Sequence, residues 1–255
     1  MSPIASWLMC TNREDEPLHR AIASCLNQTL HDFELVLVAN GDEAASIERS
    51  LRTQYGRESR IRLFATETRH LNFSLSLGLH YAQAEFVARM DADDESTSNR
   101  LALQCDFMQR NPDVAVLCAG YDVVAPNGSV VASVNPPRGD EQIRRWLRFR
   151  NVICHPTVMF RASSVRQAGG YLGGLHAEDY DLWCRLHPYN SLRFGSIDDR
   201  VLRYSAQPSG AARRSRDAYA SMVTSQVRSF IESGDPRWLV GSALSAAKML
   251  VRSRG

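Results

Sequence analysis

The chain has 255 residues, 44% hydrophobic and 23% charged, the balance of a globular protein with room for one sizeable α/β domain. A net charge of +2 is too small to imply a nucleic-acid partner. No apolar run reaches the roughly 18 residues of a membrane span.

The residues Ile4 to Cys10 form a short apolar run that predicts a buried strand, followed by the loop Thr11-Asn12-Arg13-Glu14. Leu18, Ile22, Cys25 and Leu26 recur at helical spacing. Phe33 to Val38 predicts a second strand, closed by the turn signal Asn40-Gly41. A helix over Ile47 to Tyr55, a strand over Arg60 to Phe64 and a helix over Asn72 to Ala82 follow. The strand Phe86 to Met90 then runs straight into the acidic cluster Asp91-Ala92-Asp93-Asp94. Alternating strands and helices imply right-handed crossovers and a mainly parallel sheet, the α/β class. Ligands bind such sheets at the carboxyl ends of the strands, so the loops after Cys10, Val38 and Met90 are expected to share one crevice.

The second half predicts a helix over Arg100 to Arg110, then strands Val114 to Val124 and Val130 to Val134 around the hairpin signal Asn127-Gly128. A helix over Asp140 to Phe149, a strand over Thr157 to Phe160, a short helix over Ser163 to Ala168 and a helix over Glu178 to Leu186 complete it. The expected organisation is one catalytic domain over 1–215, in two halves at 1–104 and 105–215. A helical C-terminal extension follows at 216–255. The six cysteines form no C-x-x-C pair and several sit in apolar runs, which predicts buried free thiols in a reducing compartment. With no signal peptide visible, a cytoplasmic location is expected.

Residues two apart in extended backbone point the same way, so Asp91 and Asp93 can face one ligand. Paired carboxylates suit a hard cation, Mn²⁺ or Mg²⁺, that also binds diphosphate oxygens. The competing reading is a solvated loop whose acids cap the next helix. Glu178 and Asp179 open a helix, either as acids favoured by its dipole or as a general base and its neighbour.

The ordered set Ala23-Ser24-Cys25-Leu26-Asn27-Gln28-Thr29, Ala88-Arg89-Met90-Asp91-Ala92-Asp93-Asp94 with Arg100 and Gln104, His155-Pro156-Thr157, Gly169-Gly170-Tyr171 and Ala177-Glu178-Asp179-Tyr180 resembles family 2 glycosyltransferases of the GT-A fold. The likeness is strongest to bacterial enzymes of O-antigen and capsule synthesis. It implies that 1–104 is a nucleotide-sugar-binding half and 105–215 an acceptor half, and that Thr11, Asn12, Arg13, Glu14, Asp91 and Ala92 hold the nucleotide. It makes Asp93, with Asp91, the metal ligand, and Asp179 the base with Glu178 beside it. The implied donor is a nucleotide sugar, a UDP-sugar above all, and the implied acceptor a saccharide or a lipid-diphosphate-linked saccharide. The family's Asp pair after the second strand is replaced by Ala39-Asn40-Gly41-Asp42. The Asn40 carbonyl can still accept from uracil N3–H, or the dipeptide is a plain turn.

His155 and Trp183 are candidates for acceptor contact or for the core, and Arg213 and Arg214 for a diphosphate clamp or a solvated face. Gln207 stands where relatives carry a histidine. A nucleotidyltransferase would be expected to show a glycine-rich loop after the first strand, and Thr11 to Glu16 has no glycine. A catalytically dead sugar-binding relative is the remaining alternative. The segment Arg237 to Arg254 mixes apolar residues with basic ends. As a helix it would put Leu239, Ala243, Ala246, Ala247 and Leu250 on one face, either against the domain or on an anionic membrane surface.

Overall fold

The computed structural model describes residues 2–173, 176–205 and 215–251. Nine strands form one sheet: β1 (Ala5–Thr11), β2 (Phe33–Asn40), β3 (Ile61–Thr66), β4 (Phe86–Met90), β5 (Glu95–Ser96), β6 (Val114–Val124), β7 (Val130–Val134), β8 (Met159–Arg161) and β9 (Arg193–Ser205). The order is β3-β2-β1-β4-β8-β6-β9-β5, with β7 beside β6. The first four strands run parallel, as the alternation predicts, and β6 and β9 are also parallel. Antiparallel β8 joins these two parts.

The helices are α1 (Glu16–Leu26), α2 (Ala44–Tyr55), α3 (Leu71–Tyr81), α4 (Arg100–Arg110), α5 (Gly139–Leu147), α6 (Ala162–Gln167), α7 (Glu178–Leu186), α8 (Arg216–Ser233) and α9 (Arg237–Val251). Helix α1 shows why the sequence starts where it does. The Asp15 carboxylate accepts from the Leu18 amide at 3.1 Å, Pro17 sits in the first turn, and Leu18, Ala21, Ile22 and Cys25 face inward.

The sheet separates two cores because side chains alternate along each strand. On β1, Trp7 and Met9 enter the core beneath α1, α2 and α4, while Leu8 and Cys10 enter the one shared by α3, α5 and α7. The second core also takes Tyr219, Met222 and Trp238 from the two C-terminal helices.

The motif after α1 acts as a clamp. Gln28 donates to the Thr97 carbonyl at 2.9 Å and accepts from the Leu101 amide at 3.1 Å. Arg100 is fully buried against Trp7, and donates to the Arg89 carbonyl at 2.8 Å and to Gln104 at 2.9 Å. Gln104 in turn donates to the Thr157 carbonyl at 2.8 Å. These buried polar side chains are satisfied by backbone, and they fix the chain on both sides of the acidic loop.

The strand expected at Thr157 to Phe160 is shorter and later. His155–Thr157 form a 3₁₀ turn, with Pro156 in its first turn and the Thr157 hydroxyl donating to the Cys154 carbonyl at 2.8 Å. The long strand β9 has no counterpart in the periodicity, because Asp198-Asp199-Arg200 interrupts it where its register with β6 shifts. Gly120 belongs to that irregularity: a Cβ there would lie 2.8 Å from the Asp198 carbonyl oxygen.

The C-terminal segment forms the expected helix but turns a different face inward. Trp238, Gly241 and Ser245 are buried, while Leu239, Ala243, Ala247 and Leu250 are exposed. Close backbone approach explains the choice. A Cβ on Gly241 would lie 1.8 Å from the Arg148 carbonyl oxygen, so glycine lets α9 dock there. The Arg148 guanidinium pairs with Asp235 at 2.7 Å, and Trp238 packs edge-on against His187 at 5.0 Å. Among the described residues, no helix is long and apolar enough to cross a membrane.

Candidate active site

Parallel register brings the expected loops to one edge of the sheet. Thr11 pairs with Ala39, Asn40 with Thr66, and Met9 with Met90. Thr11, Asn40 and Asp91 therefore leave neighbouring strand ends. The loop after β1 is self-ordered: the Thr11 hydroxyl donates to the Arg13 carbonyl at 2.6 Å, and Arg13 pairs with Asp15 at 2.6 Å. Asn12, Arg13 and Glu14 are exposed. Glu14 accepts from Ser50 at 2.9 Å. Asn40 is buried just before Gly41, whose φ of +92° is a turn conformation that glycine adopts without strain.

The carboxylates of Asp91, Asp93 and Asp94 present oxygens within 4.8 Å of one another. Asp94 is only 1% exposed, accepts from the Ser205 amide at 2.8 Å through Oδ1, and leaves Oδ2 with no hydrogen-bond partner among the described residues. Burial, and then the charge of Asp91, push its carboxyl up to about 8. Crowded carboxylates with an orphaned buried oxygen are a donor set that fits a hard divalent cation.

Beneath them lies Arg89, 2% exposed, on the alternation face that points away from Met90. It pairs with Asp91 at 2.6 Å, and its Nε and one terminal nitrogen have no hydrogen-bond partner among the described residues. Arg89 and Asp91 form one wall of a cleft of about 1090 Å³. Glu178, Asp179, His155 and Cys154 line the same cleft, with Tyr121 and Tyr204 from β6 and β9. Thr11, Asn12, Arg13, Glu14 and Asn40 do not line it, and neither do Ala92 and Asp93.

Helix α7 begins abruptly. Ala177 has φ +58°, a left-handed conformation that costs free energy outside glycine and here turns the next two side chains towards the cleft. Asp179 is held at both oxygens: the Tyr180 amide donates to Oδ1 at 2.7 Å and the Asn151 amide to Oδ2 at 2.6 Å. Glu178 is nearly buried, and burial followed by the charge of Asp179 pushes its carboxyl up to about 7.

His155 lies 3.9 Å from Glu178, beyond hydrogen-bond range, while its Nε2 meets the Tyr171 hydroxyl at 2.9 Å. Burial drives the His155 pKa well below the usual value, so the ring is neutral and the Glu178 contact is not an ion pair. Trp183 is a correction to the acceptor-contact expectation. It is 0% exposed, edge-on behind His155 at 6.0 Å and absent from the cleft wall, so a sugar has no open ring face to stack on. Arg213, Arg214 and Gln207 lie outside the described residues.

Three cleft residues carry no signal in the sequence pattern. Asn151 and Trp146 come from the end of α5 and the irregular segment after it. Arg89 is legible only as a lone cation in the apolar run Phe86 to Met90.

Four comparisons bear on this geometry. O-antigen biosynthesis glycosyltransferase WbnJ of Escherichia coli is 31% identical over 228 residues, 89% of each chain. UDP-Gal:alpha-D-GlcNAc-diphosphoundecaprenol beta-1,3-galactosyltransferase of E. coli is 27% identical over 72% of this chain and 68% of its own. The mannosyltransferase PcManGT of Pyrobaculum calidifontis, solved with GDP-Man and Mn²⁺, superposes with a TM-score of 0.67 at 16% identity, covering 98% of this chain and 76% of that one. The S. aureus TarS structure superposes with a TM-score of 0.64 at 18% identity, and the match spans 89% of this chain but 39% of TarS.

The sheet with acidic residues at the end of β4 is thus that of a glycosyltransferase with the GT-A fold. The family model for glycosyl transferase family 2 matches residues 6–169, and the chain belongs to that family.

Proposed function

We propose that the protein is an inverting, metal-dependent hexosyltransferase. It moves a sugar from a nucleoside-diphosphate donor, a UDP-sugar above all, to a saccharide acceptor carried on a lipid diphosphate in surface polysaccharide synthesis. The observation that carries this reading is one cleft lined both by Asp91 and by the half-buried Glu178–Asp179 pair. The relatives named for O-antigen synthesis and for transfer onto a diphosphoundecaprenol-linked sugar support the acceptor class.

Asp93 and Asp91 would hold Mn²⁺ or Mg²⁺, with Asp94 beside them, and the metal would supply charge neutralisation to the departing diphosphate. Thr11, Asn12, Arg13, Glu14, Asn40, Asp91 and Ala92 bind base and ribose. Asp179 takes the proton from the acceptor hydroxyl while the acceptor oxygen forms a bond to the anomeric carbon from the face opposite the breaking bond to the diphosphate. Asn151 keeps the carboxylate turned to the cleft. Glu178 orients the acceptor, and in its neutral form leaves the negative charge on Asp179. Arg89, paired with Asp91, adds positive charge at the cleft wall. His155 borders the acceptor, and Arg213 and Arg214 clamp the diphosphate.

In this reading residues 1–104 serve the donor, 105–215 the acceptor, and 216–255 attach the enzyme to the cytoplasmic face of a membrane. Exposed Leu239, Val240, Leu244, Leu250 and Val251 on α9, with Lys248 on the same helix, suit a peripheral contact with anionic lipid.

Asp179→Asn keeps the shape but takes no proton. Transfer should fall about 10² to 10⁴-fold while nucleotide binding stays unchanged. Retained turnover with lost nucleotide binding contradicts the assignment.

A further inference from the structure

The four arginines of residues 144–150 divide into two pairs with different tasks. Arg144 is committed to structure, paired with Asp140 at 2.8 Å and capping the carbonyls of His187, Tyr189 and Leu192. Arg148 is committed to Asp235 at 2.7 Å and the Arg144 carbonyl at 2.9 Å. Arg145 and Arg150 are exposed and pair with no carboxylate among the described residues. Both guanidinium groups instead lie over Trp146, with Arg145 5.8 Å and Arg150 5.1 Å from the ring centroid.

A guanidinium stacked on an aromatic face keeps its in-plane N–H donors free, in a fork that matches phosphate. Trp146 is 40% exposed, a large ring left at the surface while Trp7, Trp183 and Trp238 are buried. The turn holding it is closed by the Arg150 amide, which donates to the Trp146 carbonyl at 3.0 Å.

Trp146 and Arg150 line the same cleft as Asp179, and the next residue, Asn151, donates to the Asp179 carboxylate at 2.6 Å. A ligand whose hydroxyl reaches Asp179 therefore shares its cleft with Arg150, the residue next to the one that holds the base. We propose that Arg150, held on Trp146 and supported by the charge of Arg145, is the subsite for an anionic phosphate group of the acceptor. The enzyme thereby selects a sugar joined to a diphosphate over the same sugar in neutral form. This rests on the reading of Asp179 as base, because that reading makes this side of the cleft the acceptor side.

The test is calorimetric binding to the whole protein, with UDP and Mn²⁺ saturating the donor side. The probes are N-acetylglucosaminyl diphosphate bearing a short alkyl chain and the neutral alkyl N-acetylglucosaminide of the same chain. One charge-assisted guanidinium–phosphate contact corresponds to a preference of about 10 to 100-fold for the charged probe.

Arg150→Ala should bring the two probes to near parity, with binding of the neutral probe and hydrolysis of nucleotide sugar unchanged. Arg150→Lys should keep part of the preference. Trp146→Ala should lose it, because the arginine is no longer held, and Trp146→Phe should keep it. Equal binding of the two probes by the native protein, or no binding of either, overturns the proposal. So does an undiminished preference in Arg150→Ala, or a raised KM for the donor in that variant. Loss of binding to phosphatidylglycerol vesicles with the preference intact would mean that the arginine serves a lipid surface instead. Asp179→Asn should bind the charged probe normally, so a failure of the base assignment shows in turnover and a failure of the subsite shows in the preference.

Discussion

Replacing Glu178 by Gln tests the electrostatics of the cleft without touching the acidic loop. The Glu178 carboxyl is held from its ordinary 4.5 up to about 7, first by burial and then by the charge of Asp179. A buried acid raised in this way favours the protonated form, so the native state binds more protons than the unfolded chain between these values. Stability attributable to the group is therefore complete below about 4.5 and is lost as pH rises towards 7. Fully expressed, the shift corresponds to about 3 kcal/mol. Its coupling to Asp179 and the residual solvent around it reduce the expected effect to about 1–2 kcal/mol.

Gln has nearly the same shape and never ionises. Glu178→Gln should match the native protein at pH 5 and exceed it at pH 8, by about 2–8 °C in Tm for a chain of this size. Scanning calorimetry at pH 5, 6, 7 and 8, with EDTA to keep metal from the acidic loop, reads the difference. A constant Tm difference across the series, or a variant less stable at pH 8, would mean that Glu178 is not held protonated by burial in the native state.

Asn151→Ala removes the amide donor at 2.6 Å from Asp179. The kcat should fall about tenfold, as for loss of one charge-assisted hydrogen bond, with the donor KM unchanged in steady-state assays. Gly241→Ala drives a methyl group into the Arg148 carbonyl. It should cost about 1–3 kcal/mol and lower the denaturant midpoint, because neither backbone can turn aside as a side chain would. Leu244→Glu places a charge on the exposed face of α9. Sedimentation with phosphatidylglycerol vesicles should show weaker binding at an unchanged Tm, and identical binding would remove α9 from the membrane contact.

The architecture of the first hundred residues is legible in the sequence because its signals are local and repeat. Apolar strands Phe33 to Val38 and Phe86 to Met90 alternate with helices whose inward positions recur at helical spacing, and topology then places their loops together. The acidic run and the start of α7 are legible for the same reason, each lying at the boundary of a regular element.

The second half of the chain is less so. Strand β9 carries Asp198-Asp199-Arg200 at an irregular register, so it lacks a period of two. Asn151 reaches Asp179 from irregular chain that no periodicity describes. The burial of Trp183 and the docking face of α9 depend on contacts distant in sequence, where the Arg148 carbonyl selects Gly241 over the apolar stripe that composition favours.

In the proposed mechanism the Asp91–Asp94 loop and Asp179 act together on a nucleotide sugar. The most direct measurement is turnover of a panel of UDP-, GDP- and other nucleotide sugars with Mn²⁺, run with and without EDTA, by the native protein and by Asp93→Ala. One donor should be consumed with Mn²⁺, and both EDTA and the Asp93 substitution should abolish its consumption. Full activity in EDTA, or in Asp93→Ala, would contradict the account.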